Sequence, residues 1–167
     1  FYLAVFMLIS LNLLPPREEI INSLEKLYEN YGLFTLFIAT ILEGIAYLGF
    51  YFAGGTIILF VVLFSDGKFL SLLNISLIVA FALTVTSFIN YSFGKFLTKK
   101  FPKKIEEVEK KVVSKGIFLS AIHPNSLAFY FLNLGLKKES PLKIFLVPLI
   151  MTPYGFLLSY LFYSIKP

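Results

Sequence analysis

Between Leu33 and Phe64 the chain runs through 32 residues that carry a single charged side chain, Glu43. As one α-helix this run would be about 48 Å long, well beyond a hydrocarbon core of roughly 30 Å. Glu43-Gly44, Gly49 and Gly54-Gly55 also fall near its middle, where glycine weakens a helix. A segment that enters a bilayer, turns within Gly44–Gly55 and returns to the side it came from fits both facts. Composition points the same way: 57% of residues are apolar and only 15% charged, too little polar surface to cover a soluble domain. The reading is an all-α integral membrane protein with residues 1–167 in one domain.

The charges gather at 17–29, 66–68, 95–115, 137–143 and 166, and these clusters mark the segments between them. Residues 1–14 read as part of a first transmembrane helix. Pro15-Pro16 opens an amphipathic helix lying in the membrane interface, with Ile20, Leu24, Leu27 and Tyr31 on one face and Gly32 as its stop. A turn at Ser65–Lys68 leads into a transmembrane helix over 69–98, whose end carries Asn90, Tyr91, Gly94 and Lys95. Residues 105–115 form a second interfacial helix, with Glu106/Lys110 and Glu107/Lys111 as i,i+4 pairs and Gly116 as its stop. The apolar stretch Ile117–Leu136 follows, broken at His123-Pro124-Asn125, and a helix over 144–163 closes the chain.

These segments repeat. Leu24-Glu25-Lys26…Gly32-Leu33-Phe34 returns as Val108-Glu109-Lys110…Gly116-Ile117-Phe118 at a constant offset of 84. Each copy precedes an interrupted apolar stretch and then a spanning helix, so residues 17–98 and 103–164 read as two repeats. Seven lysines lie in 99–115 and three in 137–143. If 117–136 crossed the membrane, one of these clusters would sit on the outer side, against the bias of basic loops toward the cytoplasm. If it is re-entrant, both are cytoplasmic. The first hairpin then enters from outside and the second from inside, an inverted repeat of the kind that builds a transport site where broken segments meet.

Glu43 would lie roughly 15 Å into the bilayer, where an unpaired carboxylate costs at least about 2.5–3.5 kcal/mol. It should therefore face a cavity or a partner, be protonated, or cap backbone donors of the next half-helix. His123, the one histidine, reads either as a hydrogen-bonding filler beside Pro124 or as a ligand. Pro124-Asn125 frees backbone groups that must be satisfied inside protein. Lys95 can reach the cytoplasmic surface with its charge. The sequence shows no nucleophile elbow, zinc motif or phosphate-cradling glycine loop, so neither an enzyme, a metal site nor a cofactor is expected. The net charge of +5 is accounted for by the flanking lysines, and nucleic acid is not an expected partner.

In this arrangement the chain resembles the DedA family, also called the SNARE-associated or VTT-domain family, over about residues 32–163. Glu43-Gly44 matches the acidic residue of the family's first re-entrant segment. Tyr91-Ser92-Phe93-Gly94-Lys95 matches its Tyr-x-x-Gly-Arg/Lys signature, and Pro124 with Gly135 keeps the spacing of its second re-entrant segment. The two family arginines fall on Ala121 and Leu127, and the family's Asp falls on Ser87. Leu48-Gly49-Phe50 stands where Pro-Gly-Glu/Asp is usual.

The resemblance implies a scramblase or flippase of phospholipid or polyprenyl-phosphate lipids, linked to protons in some members. The site would comprise Glu43, Gly44, Asn90, Tyr91, Lys95, His123, Pro124 and Asn125, with membrane lipids as partners, protons as a second candidate and an oligomer compatible with both. The location implied is the cytoplasmic membrane of a prokaryote, with 99–115 and 137–143 inside. A non-transporting membrane scaffold and a small proton-coupled solute transporter are the alternatives.

Overall fold

The computed structural model describes residues 26, 29–47, 61–62, 65–101 and 116–165. Among them all regular structure is helical. The expected segment at 1–14, the interfacial helix at 105–115 and most of the turn within Gly44–Gly55 lie outside the described residues. Contacts divide the chain into two compact units, Phe1–Thr35 and Leu36–Pro167. In the first, Gly32 takes a positive φ of 52°, in keeping with its reading as a helix stop. The second unit holds everything discussed below.

Its elements are α1 (Leu33–Gly44, whose first residues belong to the first unit), α2 (Phe69–Lys100), the single turn α3 (Ile117–Ser120), α4 (Pro124–Leu136), a 3-10 turn (Pro141–Leu146) and α5 (Val147–Ser164). Two stretches are long and apolar enough to cross a membrane: α2, and the 3-10 turn continuing into α5. Both were expected, at 69–98 and 144–163. At 32 residues α2 is about 48 Å long, so it overshoots a hydrocarbon core and ends in Lys99 and Lys100.

Polar residues are tolerated inside α2 because their hydroxyls turn back on their own helix. Ser76 donates to the Leu72 carbonyl, Thr84 to Ala80, and both Thr86 and Ser87 to Leu83. The helix is wrapped by its neighbours. Phe37 of α1 stacks on Phe81, and Gly44 and Ala46 lie against Thr86 and Asn90, so α1 runs parallel to α2. Along α5 the pairing runs the other way: Phe145 meets Phe88, Gly155 meets Ser76, and the Tyr163 hydroxyl donates to the Asp66 carbonyl. Thus α5 is antiparallel to α2.

At the crossing of α2 and α4 two glycines lie against the partner helix. A methyl group added at Gly94 would run into the Leu132 carbonyl, and one added at Gly135 would run into the Tyr91 carbonyl. Backbone therefore packs on backbone, the contact that small residues permit between helices without a large side-chain layer. The order of pairs, Asn90 bonded to the Ala46 that packs on Ala128 and Leu132, Gly94 near Leu132, Thr98 bonded to Leu136, makes α4 parallel to α2. Their C-terminal ends lie at one end of the unit.

The second break differs from its expected place. Helix α3 stops at Ser120, the chain turns through Ala121–His123, and Pro124 and Asn125 already belong to α4. Proline is at home there, since the first turn of a helix has no use for its missing N–H.

Candidate functional site

The C-terminal end of α1 is where the fold brings polar groups together. Helix α1 stops at Gly44, Ala46 turns, and Tyr47 takes a positive φ of 72°. Stopping a helix in a buried place strands peptide groups, each of which needs a partner. Asn90 supplies two. Its Oδ1 accepts from the Ala46 N–H at 2.9 Å, and its Nδ2 donates to the Gly44 carbonyl at 2.7 Å. A carboxamide carries one acceptor and one donor group side by side, the same complement as a peptide. Because one partner is an N–H and the other a C=O, the orientation of the amide follows from the chemistry.

Gly44 is pressed on the same turn of α2: a methyl group there would lie 2.6 Å from Thr86 Oγ1. Thr86 and Asn90 are four residues apart and so share a face. Together they form the seat on which the end of α1 rests. Glu43 lies at this seat and is 4% exposed, and Thr40 one turn earlier is 2% exposed. Ser87 is buried beside Thr86. Beyond the turn, Ala46 packs on Ala128 and Leu132, and Tyr47 meets Phe129 edge to face. The first break thus abuts the body of α4 rather than its tip.

The remaining expected residues fall elsewhere. His123 is exposed and serves as the N-cap of α4, its Nδ1 accepting from the Asn125 N–H at 3.2 Å. An imidazole accepting through Nδ1 cannot at the same time carry a proton on that nitrogen. The neighbouring Ile122 carbonyl, exposed by the break, accepts from the Tyr154 hydroxyl of α5 at 3.0 Å. Tyr91 is buried at the α2/α4 crossing and donates to the Glu139 carbonyl at 2.8 Å. The Lys95 backbone touches Gly135 while its side chain is exposed. The eight expected residues therefore separate into a seat around Glu43, Gly44 and Asn90, a crossing at Tyr91 and Lys95, and a cap at His123-Pro124-Asn125.

Thr86 and Tyr154 were not singled out by sequence, although both act at a break. Thr86 could have been found from its i,i+4 relation to Asn90. Tyr154 follows Pro153 inside α5, and nothing local marks which carbonyl it reaches.

No family model matches the chain, and neither curated proteins nor solved structures yield a match.

Proposed function

We propose that the chain is an integral membrane protein that moves lipids between leaflets, a scramblase or flippase with Glu43 as the group that meets the headgroup or carries a proton. The observation that carries this reading is the buried carboxyl of Glu43 at the broken end of α1, in a polar layer with Thr40, Thr86, Ser87 and Asn90 beside the middle of an apolar, membrane-length helix. Carboxyls at such depth are costly and belong to pathways more often than to packing. Asn90 already answers the Gly44 carbonyl and the Ala46 N–H, so Glu43 is not needed to cap those groups.

Helix directions support the inverted repeat. Helix α1 runs toward the Lys100 end of α2, yet by Ser65 the chain is back at the Phe69 end. Helix α4 runs antiparallel to α5. Each break is answered from the middle of the spanning helix of its own repeat, the first by Asn90 of α2 and the second by Tyr154 of α5. On this reading the chain is a divergent DedA-type (VTT-domain) protein of a prokaryotic cytoplasmic membrane, with the ends of α2 and α4 inside.

The scaffold reading is favoured by a different observation: Asn90, Tyr91 and His123 all direct polar atoms to the chain's own backbone. Exchange of a fluorescent phospholipid between leaflets of proteoliposomes separates the two. Glu43→Gln and Glu43→Ala should slow exchange at least about ten-fold, with Lys68→Gln at the far end as the control. Unaltered exchange in both Glu43 variants sinks the transport role, and a fixed co-purifying partner would then favour the scaffold.

A further inference from the structure

Helices α2 and α4 are parallel, and their crossing at Gly94 and Gly135 gathers lysines from distant parts of the chain. Thr98 donates to the Leu136 carbonyl at 2.8 Å, which sets Lys99 and Lys100 beside Lys137 and Lys138. Lys95 lies one turn back against Gly135, and Lys143 follows on the 3-10 turn. Among the described residues this end carries six lysines against one acid, Glu139, which pairs with Lys143 at 3.4 Å. Among the described residues of this unit, the opposite end carries the exposed pair Asp66–Lys68, at 3.0 Å. Lys100 stands 5.8 Å from the Phe96 ring and 5.5 Å from that of Phe101. An ammonium flanked by exposed aromatic rings is suited to the level where acyl chains give way to headgroups.

We propose that this rim is a docking surface for the phosphate-bearing headgroups of anionic lipids in the leaflet on that side. The charge asymmetry among the described residues of this unit is the argument: a neutral pair at one end and five positive charges in excess at the other, on a body whose flanks are apolar. Clustered lysines beside a spanning helix attract anionic lipid over a Debye length. The inference rests on the membrane reading alone and not on lipid exchange.

The test uses the full chain in mixed micelles of phosphatidylglycerol and phosphatidylcholine with identical acyl chains. Retained lipid is counted by native mass spectrometry. The wild type should retain phosphatidylglycerol over phosphatidylcholine, and that preference should fall steeply between 50 and 500 mM salt, as a screened attraction must. Each lysine contributes roughly five-fold. Replacing Lys99, Lys100, Lys137 and Lys138 by Gln should therefore cut the preference at least about ten-fold, whereas Lys68→Gln should leave it. A salt-independent preference in the wild type, or an equal loss from Lys68→Gln, overturns the proposal and leaves the lysines as orientation signals only. Retention is read on the lysine variant and exchange on the Glu43 variants, so failure of the exchange reading and failure of this one give different results.

Discussion

Removing Asn90 is the sharpest perturbation the fold offers. Asn90→Ala deletes two hydrogen bonds at once and leaves the Ala46 N–H and the Gly44 carbonyl buried. Orphaned groups in water-soluble proteins cost about 1–3 kcal/mol each. Side-chain hydrogen bonds inside membrane proteins average nearer ~0.6 kcal/mol, because the unfolded chain in lipid finds partners too. Two bonds then bracket the loss between about 1 and 6 kcal/mol, with 2–4 kcal/mol expected for a site of 2% exposure that admits little water. Reversible unfolding in mixed micelles measures the total. Hydrogen exchange at the Ala46 amide isolates the clamp, and should accelerate at least about ten-fold, the equivalent of ~1.4 kcal/mol. Asn90→Asp gives a signed check. An ionised Asp keeps an acceptor for Ala46 but loses the donor to Gly44, and protonation returns that donor. The variant should therefore gain stability as pH falls. A loss below about 0.5 kcal/mol for Asn90→Ala, with unchanged exchange at Ala46, would refute the reasoning.

The other expectations are simpler. Gly94→Ala and Gly135→Ala each drive a methyl into backbone that cannot rotate away, so each should lose stability at the upper end of the ~1–3 kcal/mol typical of overpacking, read by the same unfolding assay. Gly44→Ala should be partly rescued by Thr86→Ala, since a side chain rather than backbone blocks it, and a double-mutant cycle reads the coupling. Lys138 has a φ of 53° as the left-handed residue of the cap that ends α4, so Lys138→Gly should stabilise by about 0.5–1 kcal/mol. The Asp66 carboxyl is held down to about 2 from 3.8 by hydrogen bonds from Ser71 and then from the Lys68 side chain and N–H. A lowered value means its contribution is complete above about pH 4 and is lost as pH falls through about 2. Asp66→Asn should flatten the acid limb of an unfolding titration in that window.

How much could be read beforehand depends on whether a residue's role is local. The two helices long and apolar enough to cross a membrane were legible because apolar length is a property of one segment. The break after Glu43-Gly44 was legible because glycine and excess length both mark it. Tyr91, Gly94 and Gly135 were recognisable as a spacing, but their role was not. A glycine that exists to let α2 and α4 touch reveals itself only when the partner's carbonyl is in place. Lys138 gave no signal at all, because a left-handed cap closed by lysine looks like any basic loop. The second break was read as spanning His123-Pro124-Asn125, whereas proline began the new helix and histidine capped it.

Separating these roles changes what Glu43 can be for. Before the seat was visible, the Ala46 N–H was among the donors that a carboxylate at that depth could have capped. The fold answers the first stranded donor with Asn90, answers the carbonyl before it with the same amide, and answers the second break from Tyr154. A substitution that keeps volume, Glu43→Gln, should therefore leave Ala46 protected in hydrogen exchange while Asn90→Ala does not. If Glu43→Gln exposes Ala46 as fully as Asn90→Ala does, the carboxyl belongs to the clamp, and the transport role loses its main support.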